Sequence, residues 1–295
     1  MTKQIIVGVD GSDQSMDALR WAAYEARRRD AEIRVVSCYH FPVFGNPGTA
    51  VSPNSIDTTL YTQAADATVG RAIRALADID PALLVEGVAE LAPAVTGLVD
   101  AGDDGAMIVL GASGHTGFLE GLRGSVTTGV AHRAHVPVIV IPADPPREFG
   151  DSMAKIVVGV DGSPGSLQAL DWAYDEAVLA GAELTVVHGW AYPYVGRGTM
   201  MTESRTNVEG DAQQELQASI DSLGARATDG SVTIHGVVVE RSPAQALIEE
   251  GYDADLVVVG SRGHSTLLSM LLGSVSHNVI QHSRCPIAVI HRSAK

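Results

Sequence analysis

One octapeptide is written twice in this chain: Ile5–Ser12 reads IIVGVDGS, and Ile156–Ser163 reads IVVGVDGS, 151 positions later. The same offset pairs Leu19 with Leu170, Trp21 with Trp172 and Glu25 with Glu176. Further on, Val109–Gly114 (VLGASG) matches Val258–Gly263 (VVGSRG) at an offset of 149, which also pairs Gly124-Ser125-Val126 with Gly273-Ser274-Val275. A sequence that repeats itself in this way folds as two copies of one pattern, and the change of offset marks a small loop indel. The 295 residues give each copy the length of an ordinary domain with its own core.

In the first copy, Ile5–Val9 is a short β-branched run stopped by Asp10-Gly11-Ser12, after which apolar or small residues recur at Met16, Leu19, Ala22, Ala23 and Ala26. That pattern predicts strand, turn and amphipathic helix. Further strands are expected at Ile33–Cys38, Leu84–Ala89, Met107–Leu110 and Val136–Ile141, with helices near Asp57–Ala77, Pro93–Ala101 and Ser125–Arg133. The second copy predicts strands at Ile156–Val160, Leu184–His188, Thr233–Val239, Leu256–Val259 and Ile287–Ile290. Its helices are expected at Pro164–Leu179, Val208–Ala225, Pro243–Glu250 and Val275–His282. Near-continuous Val/Ile strands alternating with helices imply a parallel sheet covered on both faces, here a doubly wound α/β sandwich built twice. Domains are expected at 1–142 and 155–293, with an extended linker over 143–154 in the proline-rich stretch Pro142–Ala154. Segments Phe41–Ile56 and Tyr192–Thr206 lack either period and read as loops after the second strand of each copy.

Charge narrows the partners. A net charge of −15 disfavours DNA or RNA, whose non-specific binding needs clustered Lys and Arg. A nucleotide ligand would have to be gripped by backbone N–H groups, hydroxyls or a metal. Met1–Val9 lacks a basic stretch followed by a long apolar run, and no run of about 18 apolar residues could span a membrane, so a soluble cytoplasmic protein is expected. Cys38 and Cys285 each fall beside a predicted strand and are expected as reduced, largely buried thiols.

In open parallel sheets ligands bind beyond the carboxyl ends of the strands, where the winding reverses. Two motifs lie at such ends. The first is Gly8-Val9-Asp10-Gly11-Ser12, repeated as Gly159-Val160-Asp161-Gly162-Ser163. The second is Gly111-x2-Gly114-x9-Gly124-Ser125, repeated as Gly260-x2-Gly263-x9-Gly273-Ser274. Glycines at that spacing let backbone pass close to a ribose and phosphates, and Gly124-Ser125 opens a helix whose N–H groups can hold phosphate oxygens without Lys.

The pattern G-x2-G-x9-G-[ST] with an upstream V-D-G-S resembles the ATP-binding signature of universal stress proteins, of the actinobacterial, mycobacterial-like tandem kind, and covers nearly the whole chain. The resemblance implies two Rossmann-like, adenine nucleotide α-hydrolase-like domains with five-stranded parallel sheets of order 3-2-1-4-5. It also implies that Asp10 and Asp161 lie against the nucleotide, and that backbone near Gly8 and Cys38, or Gly159 and Gly189, faces adenine. Gly111 and Gly260 would approach the ribose. Gly114, Gly124, Ser125 and Val126, with Gly263, Gly273, Ser274 and Val275, would surround the phosphates. The cofactors implied are ATP and Mg2+, the metal held through the phosphates.

Other roles stay open. Asp10 and Asp161 can instead cap the following helix, although Ser12 and Ser163 are suited to that task. His115 and His264 follow the second glycine and can touch phosphate or simply face solvent. His132, His135, His277 and His282 lack partners at metal-site spacing and are expected on helix surfaces or ends. The spacers His115–Arg123 and His264–Leu272 differ in composition, so unequal affinity is expected of the two sites. With Lys3, Lys155 and Lys295 the only lysines and no G-K-[ST], efficient phosphoryl transfer is not expected. A nucleotide-dependent regulator of stress, hypoxia or dormancy responses is expected; the alternatives are a cyclic AMP-binding protein, or a weak ATPase or adenylyl-transferring enzyme. The two halves are expected to pair as an internal pseudo-dimer near their fifth strands, with a homodimer of chains possible in addition.

Overall fold

The computed structural model describes residues 4–40, 59–112, 124–143, 149, 152–191, 205–263 and 272–291. The expected loop at 41–56, most of that at 192–206, most of the linker and Gly114 with its spacer lie outside these residues. The chain divides into two compact units, Met1–Arg133 and Ala134–Lys295.

The first unit contains β1 (Gln4–Gly8), α1 (Asp13–Arg29), β2 (Glu32–Tyr39), α2 (Thr59–Ile79), β3 (Val85–Leu91), α3 (Ala94–Gly102), β4 (Met107–Gly111) and α4 (Ser125–Arg133). Its strands are parallel in the order β3-β2-β1-β4, with Val7 in register with Val35 on one side and Val109 on the other. Ile5, Ile6, Val7, Ile108 and Val109 are fully buried. Burial on both faces is what their unbroken β-branched runs require.

The second unit contains β5 (Val138–Ile141), β6 (Lys155–Gly159), α5 (Pro164–Ala180), β7 (Glu183–Trp190), α6 (Arg205–Asp221), β8 (Ile234–Glu240), α7 (Pro243–Glu250), β9 (Leu256–Gly260), α8 (Ser274–His282) and β10 (Ile287–Ile290). Strands β9, β6, β7 and β8 are parallel neighbours in that order, and β10 joins β9 in parallel.

Two expectations are corrected. The sheets are not two separate five-stranded parallel ones: β5 pairs antiparallel with β10, so the second unit carries the mixed order β5-β10-β9-β6-β7-β8. Both strands are four residues long, wholly apolar and buried. Buried N–H and C=O groups along such an edge need partners, and each strand supplies them to the other. Nor does α6 run over Val208–Ala225. It ends at Asp221, and Gly224 takes a left-handed backbone (φ +61) at the start of a 3-10 turn, Gly224–Thr228. That turn is clamped to α5, where the Tyr174 hydroxyl donates to the Arg226 carbonyl (2.7 Å) and Arg226 lies over the Tyr174 ring.

Candidate functional site

The predicted site residues gather at the carboxyl ends of adjacent parallel strands. Gly8 closes β1, Cys38 is next to last in β2 and Gly111 closes β4; Gly159, Gly189 and Gly260 hold the same places in β6, β7 and β9. The order reverses between β1 and β4, and between β6 and β9. Both halves therefore present a switch point of the kind that forms a crevice.

Beyond β1 the chain turns sharply into α1. Ser12 caps the helix, its Oγ accepting from the Ser15 N–H (3.3 Å), and Asp10 Oδ1 accepts from the Ser12 N–H (3.0 Å). Beyond β6 the same turn recurs: Ser163 Oγ accepts from the Ser166 N–H (3.2 Å) and Asp161 Oδ1 from the Ser163 N–H (3.0 Å). The caps are thus the serines, and the aspartates brace the turn two residues earlier. Asp161 does more, since a Cβ on Gly263 would run into its Oδ2. A side chain at position 263 would displace that carboxylate.

The glycines that close β4 and β9 let the following loops cross the start of the first helix of each half. A Cβ on Gly111 would stand 2.8 Å from the Gln14 carbonyl, and one on Gly260 would stand 2.9 Å from the Gly165 carbonyl. The strand-one turn and the strand-four loop are brought together in this way. Gly124, just before α4, has φ +80, and a Cβ there would stand 2.8 Å from the Ala112 carbonyl, so only glycine fits. Thr127 Oγ1 donates to the Gly111 carbonyl (2.8 Å), tying α4 to the end of β4. In the second half Gly273 is the N-cap residue of α8, and no side chain caps that helix. The Gly273 N–H donates to the Ser261 carbonyl (2.9 Å). Ser125 and Ser274 open α4 and α8 on the exposed side, with Val126 and Val275 half-buried behind them. Gly114, His115 and His264 lie outside the described residues.

Four site residues have packing duties of their own. A Cβ on Gly8 would meet Leu110 of β4 (2.5 Å) and Leu98 of α3 (2.9 Å), and one on Gly159 would meet Leu247 of α7 (2.7 Å), so these glycines make room for leucines packed on the sheet. Cys38 and Gly189 are one half of a compensated pair. A Cβ on Gly97, the fourth residue of α3, would stand 2.8 Å from Cys38 Sγ. In the second half the strand residue is Gly189 and the fourth residue of α7 is Ala246, 3.1 Å from where a Gly189 Cβ would be. Both cysteines are free thiols, Cys38 half-buried and Cys285 buried. Burial pushes each up to about 11, with the Glu90 carboxylate adding to the effect at Cys38.

Three features escaped the sequence reading. A surface pocket of ≈ 490 Å3 lies between β7 and α6, lined by His188, Trp190, Glu215 and Ala218 among others. His188 Nδ1 is 3.0 Å from the Val160 carbonyl, which precedes Asp161, and its Nε2 is 3.4 Å from Glu215. Arg71, on α2, brings a guanidinium nitrogen to 2.7 Å from where a Gly11 Cβ would stand. Arg262 lies between Gly260 and Gly263, exposed, with its Cα 3.5 Å from where a Gly273 Cβ would be. Counting only lysines hid both arginines, and comparing Ser37-Cys38-Tyr39 with His188-Gly189-Trp190 would have pointed to the pocket. Of the histidines considered as ligands, His135, His277 and His282 are exposed and His132 is half-buried near the end of α4. Among the described residues no group of three or more His, Cys, Asp or Glu is placed to hold a metal ion, and no helix is long and apolar enough to cross a membrane.

The sequence model of the universal stress protein family matches residues 1–142 and again 153–291. The chain belongs to the universal stress protein family. Its two family domains are shared with tandem relatives along almost their whole length. It is 34% identical over 297 residues to a universal stress protein of Mycobacterium tuberculosis (strain H37Rv), covering 98% of this chain and 97% of that one. A universal stress protein of Mycolicibacterium smegmatis is 32% identical over 291 residues, covering 97% of this chain and 96% of the relative. The crystal structure of a universal stress protein from Archaeoglobus fulgidus shares the fold, with a TM-score of 0.70 at 21% identity over 98% of this chain and 96% of that one. This universal stress protein thus carries its family domain twice.

Proposed function

We propose that this universal stress protein binds ATP in each half, and that nucleotide occupancy makes it a cytoplasmic regulator in stress, hypoxia or dormancy responses. The observation that carries this reading is the meeting of Asp161 with Gly263 beside the uncapped start of α8, at the point where the sheet order reverses. A carboxylate there can accept from ribose hydroxyls or an amino group. The N–H groups in the first turn of α8 have no helical partners and carry the positive end of the helix dipole, which suits phosphate. The first half repeats the turn, the close approach at Gly111 and the left-handed Gly124. Mg2+ would arrive with the phosphates and be completed by water, with Asp10 or Asp161 able to offer a carboxylate oxygen.

The chemistry favours holding ATP over turning it over. No lysine stands in either glycine loop to neutralise charge on a transferred phosphoryl group, so hydrolysis is at most slow. Mass spectrometry of small molecules released from the purified protein tests the reading. ATP or ADP recovered with the protein is expected, whereas recovery of cyclic AMP alone would replace the ligand. Rapid multiple turnover of ATP would replace the regulatory role with an enzymatic one.

A further inference from the structure

The two halves can be laid over each other at α2 and α6 by what they pack against. A Cβ on Gly87 of β3 would meet Val69 and Ile73, and a Cβ on Gly236 of β8 would meet Leu216 and Ile220. The same register matches buried Ala65 with Ala212, Ala72 with Ser219 and Leu76 with Leu223. It sets Thr68 against Glu215 and Arg71 against Ala218.

At this place the halves differ in kind. In the first half, Thr62 Oγ1 donates to the Tyr39 hydroxyl (3.2 Å), bridging α2 to the end of β2. Arg71 Nη2, donating to Thr68 Oγ1 (3.2 Å), lies against Gly11, so a guanidinium stands at the turn that holds Asp10. In the second half Trp190 replaces Tyr39 and Ala218 replaces Arg71, and the space between β7 and α6 is the ≈ 490 Å3 pocket. His188 and Trp190, 7% and 8% exposed, form its floor beside Val160, the residue before Asp161. Glu215 stands at its side.

We infer that the two halves are unequal nucleotide sites: the second is the tighter, because the pocket beside Val160 and Asp161 is open to a planar base, while Arg71 and the Tyr39–Thr62 bridge stand at the matching place beside Asp10. The inference rests on the nucleotide reading and adds to it which half is filled first and why. The indole of Trp190 offers a stacking surface, and the Glu215 carboxylate offers an acceptor for an exocyclic amino group. A base carrying an amino group is therefore favoured over one carrying a carbonyl at that position.

The test exchanges the two helix residues, both exposed, in the full chain. Calorimetric titration of wild-type protein with ATP should resolve a tighter and a weaker event. Ala218→Arg should weaken the tighter event at least 10-fold and leave the other unchanged, and Arg71→Ala should tighten the weaker one. In the same titration, inosine triphosphate should bind the second half more weakly than ATP, and Glu215→Gln should narrow that difference. The inference is overturned if Ala218→Arg leaves both events as in wild type, or if Arg71→Ala abolishes the weaker one. Wild-type protein that takes up no ATP at all would instead remove the nucleotide reading on which the inference rests.

Discussion

Cys38 and Gly97 show how a single atom is accommodated and where the accommodation can be tested. Gly97→Ala places a methyl 2.8 Å from Cys38 Sγ, and overpacking of this kind costs about 1–3 kcal/mol. In a Cys38→Gly background the same change no longer meets Sγ, with Ala92 Cβ at 3.1 Å its closest remaining neighbour, and alanine is about 1 kcal/mol better than glycine inside a helix. Urea denaturation of the four proteins of this cycle should therefore return a coupling well above the ~0.5 kcal/mol scatter of independent sites. Additive effects would show that α3 shifts to absorb the methyl. Cys285 makes a second prediction at this scale. Its native thiol is held up to about 11 by burial, against an ordinary value of 9.0. A raised acid keeps its proton when folded while the unfolded thiol gives its own up. Its contribution is fully present below pH 9 and is lost as pH rises through 11. Stability measured from pH 8.5 to 11 should fall more steeply for wild type than for Cys285→Ala, and parallel curves would contradict the burial argument.

Among the elements, strands and most helices could be read from the chain because burial on both faces forces Val/Ile runs such as Ile5–Val7 and Val257–Val259 to stand out between helical periods. The turns at Ser12 and Ser163 were equally legible, since an Asp-Gly-Ser stop before an amphipathic segment leaves few other caps. Pairing was legible only in part. The repeat points to the two fifth strands as the edges that cover one another, but the antiparallel match of Val140 with Ile287 is not written in either apolar run. The end of α6 was missed for a local reason, a left-handed Gly224 inside a stretch whose composition still suits a helix. The pocket beside α6 was missed because it depends on a register between α2 and α6 that only their contacts with Gly87 and Gly236 reveal. Two element-scale outcomes follow. Ser163→Ala removes the α5 cap and should lower stability by about 1 kcal/mol in a denaturant titration. Val289→Pro removes an N–H from the buried β5–β10 pairing and should cost about 3 kcal/mol or more, while a change under 1 kcal/mol would mean that this edge is held by other contacts.

At the scale of the whole molecule, a net charge of −15 sets the background on which any anion must bind. An acidic chain can hold a polyphosphate only where local donors outweigh the general repulsion, and backbone N–H groups at the starts of α4 and α8 are donors that no titration removes. Arg262 adds charge near the start of α8 without changing the balance of the surface. Added salt should accordingly stabilise the free protein by screening its self-repulsion, as thermal melts at low and moderate ionic strength would show. The most direct measurement is an equilibrium titration of the intact chain with Mg2+ and ATP, counting moles bound per mole of protein. Two unequal ATP molecules per chain are predicted, with both retained in part when Mg2+ is chelated, because the main chain supplies the grip; a chain that retains no adenosine phosphate under any of these conditions would contradict the proposed site in both halves.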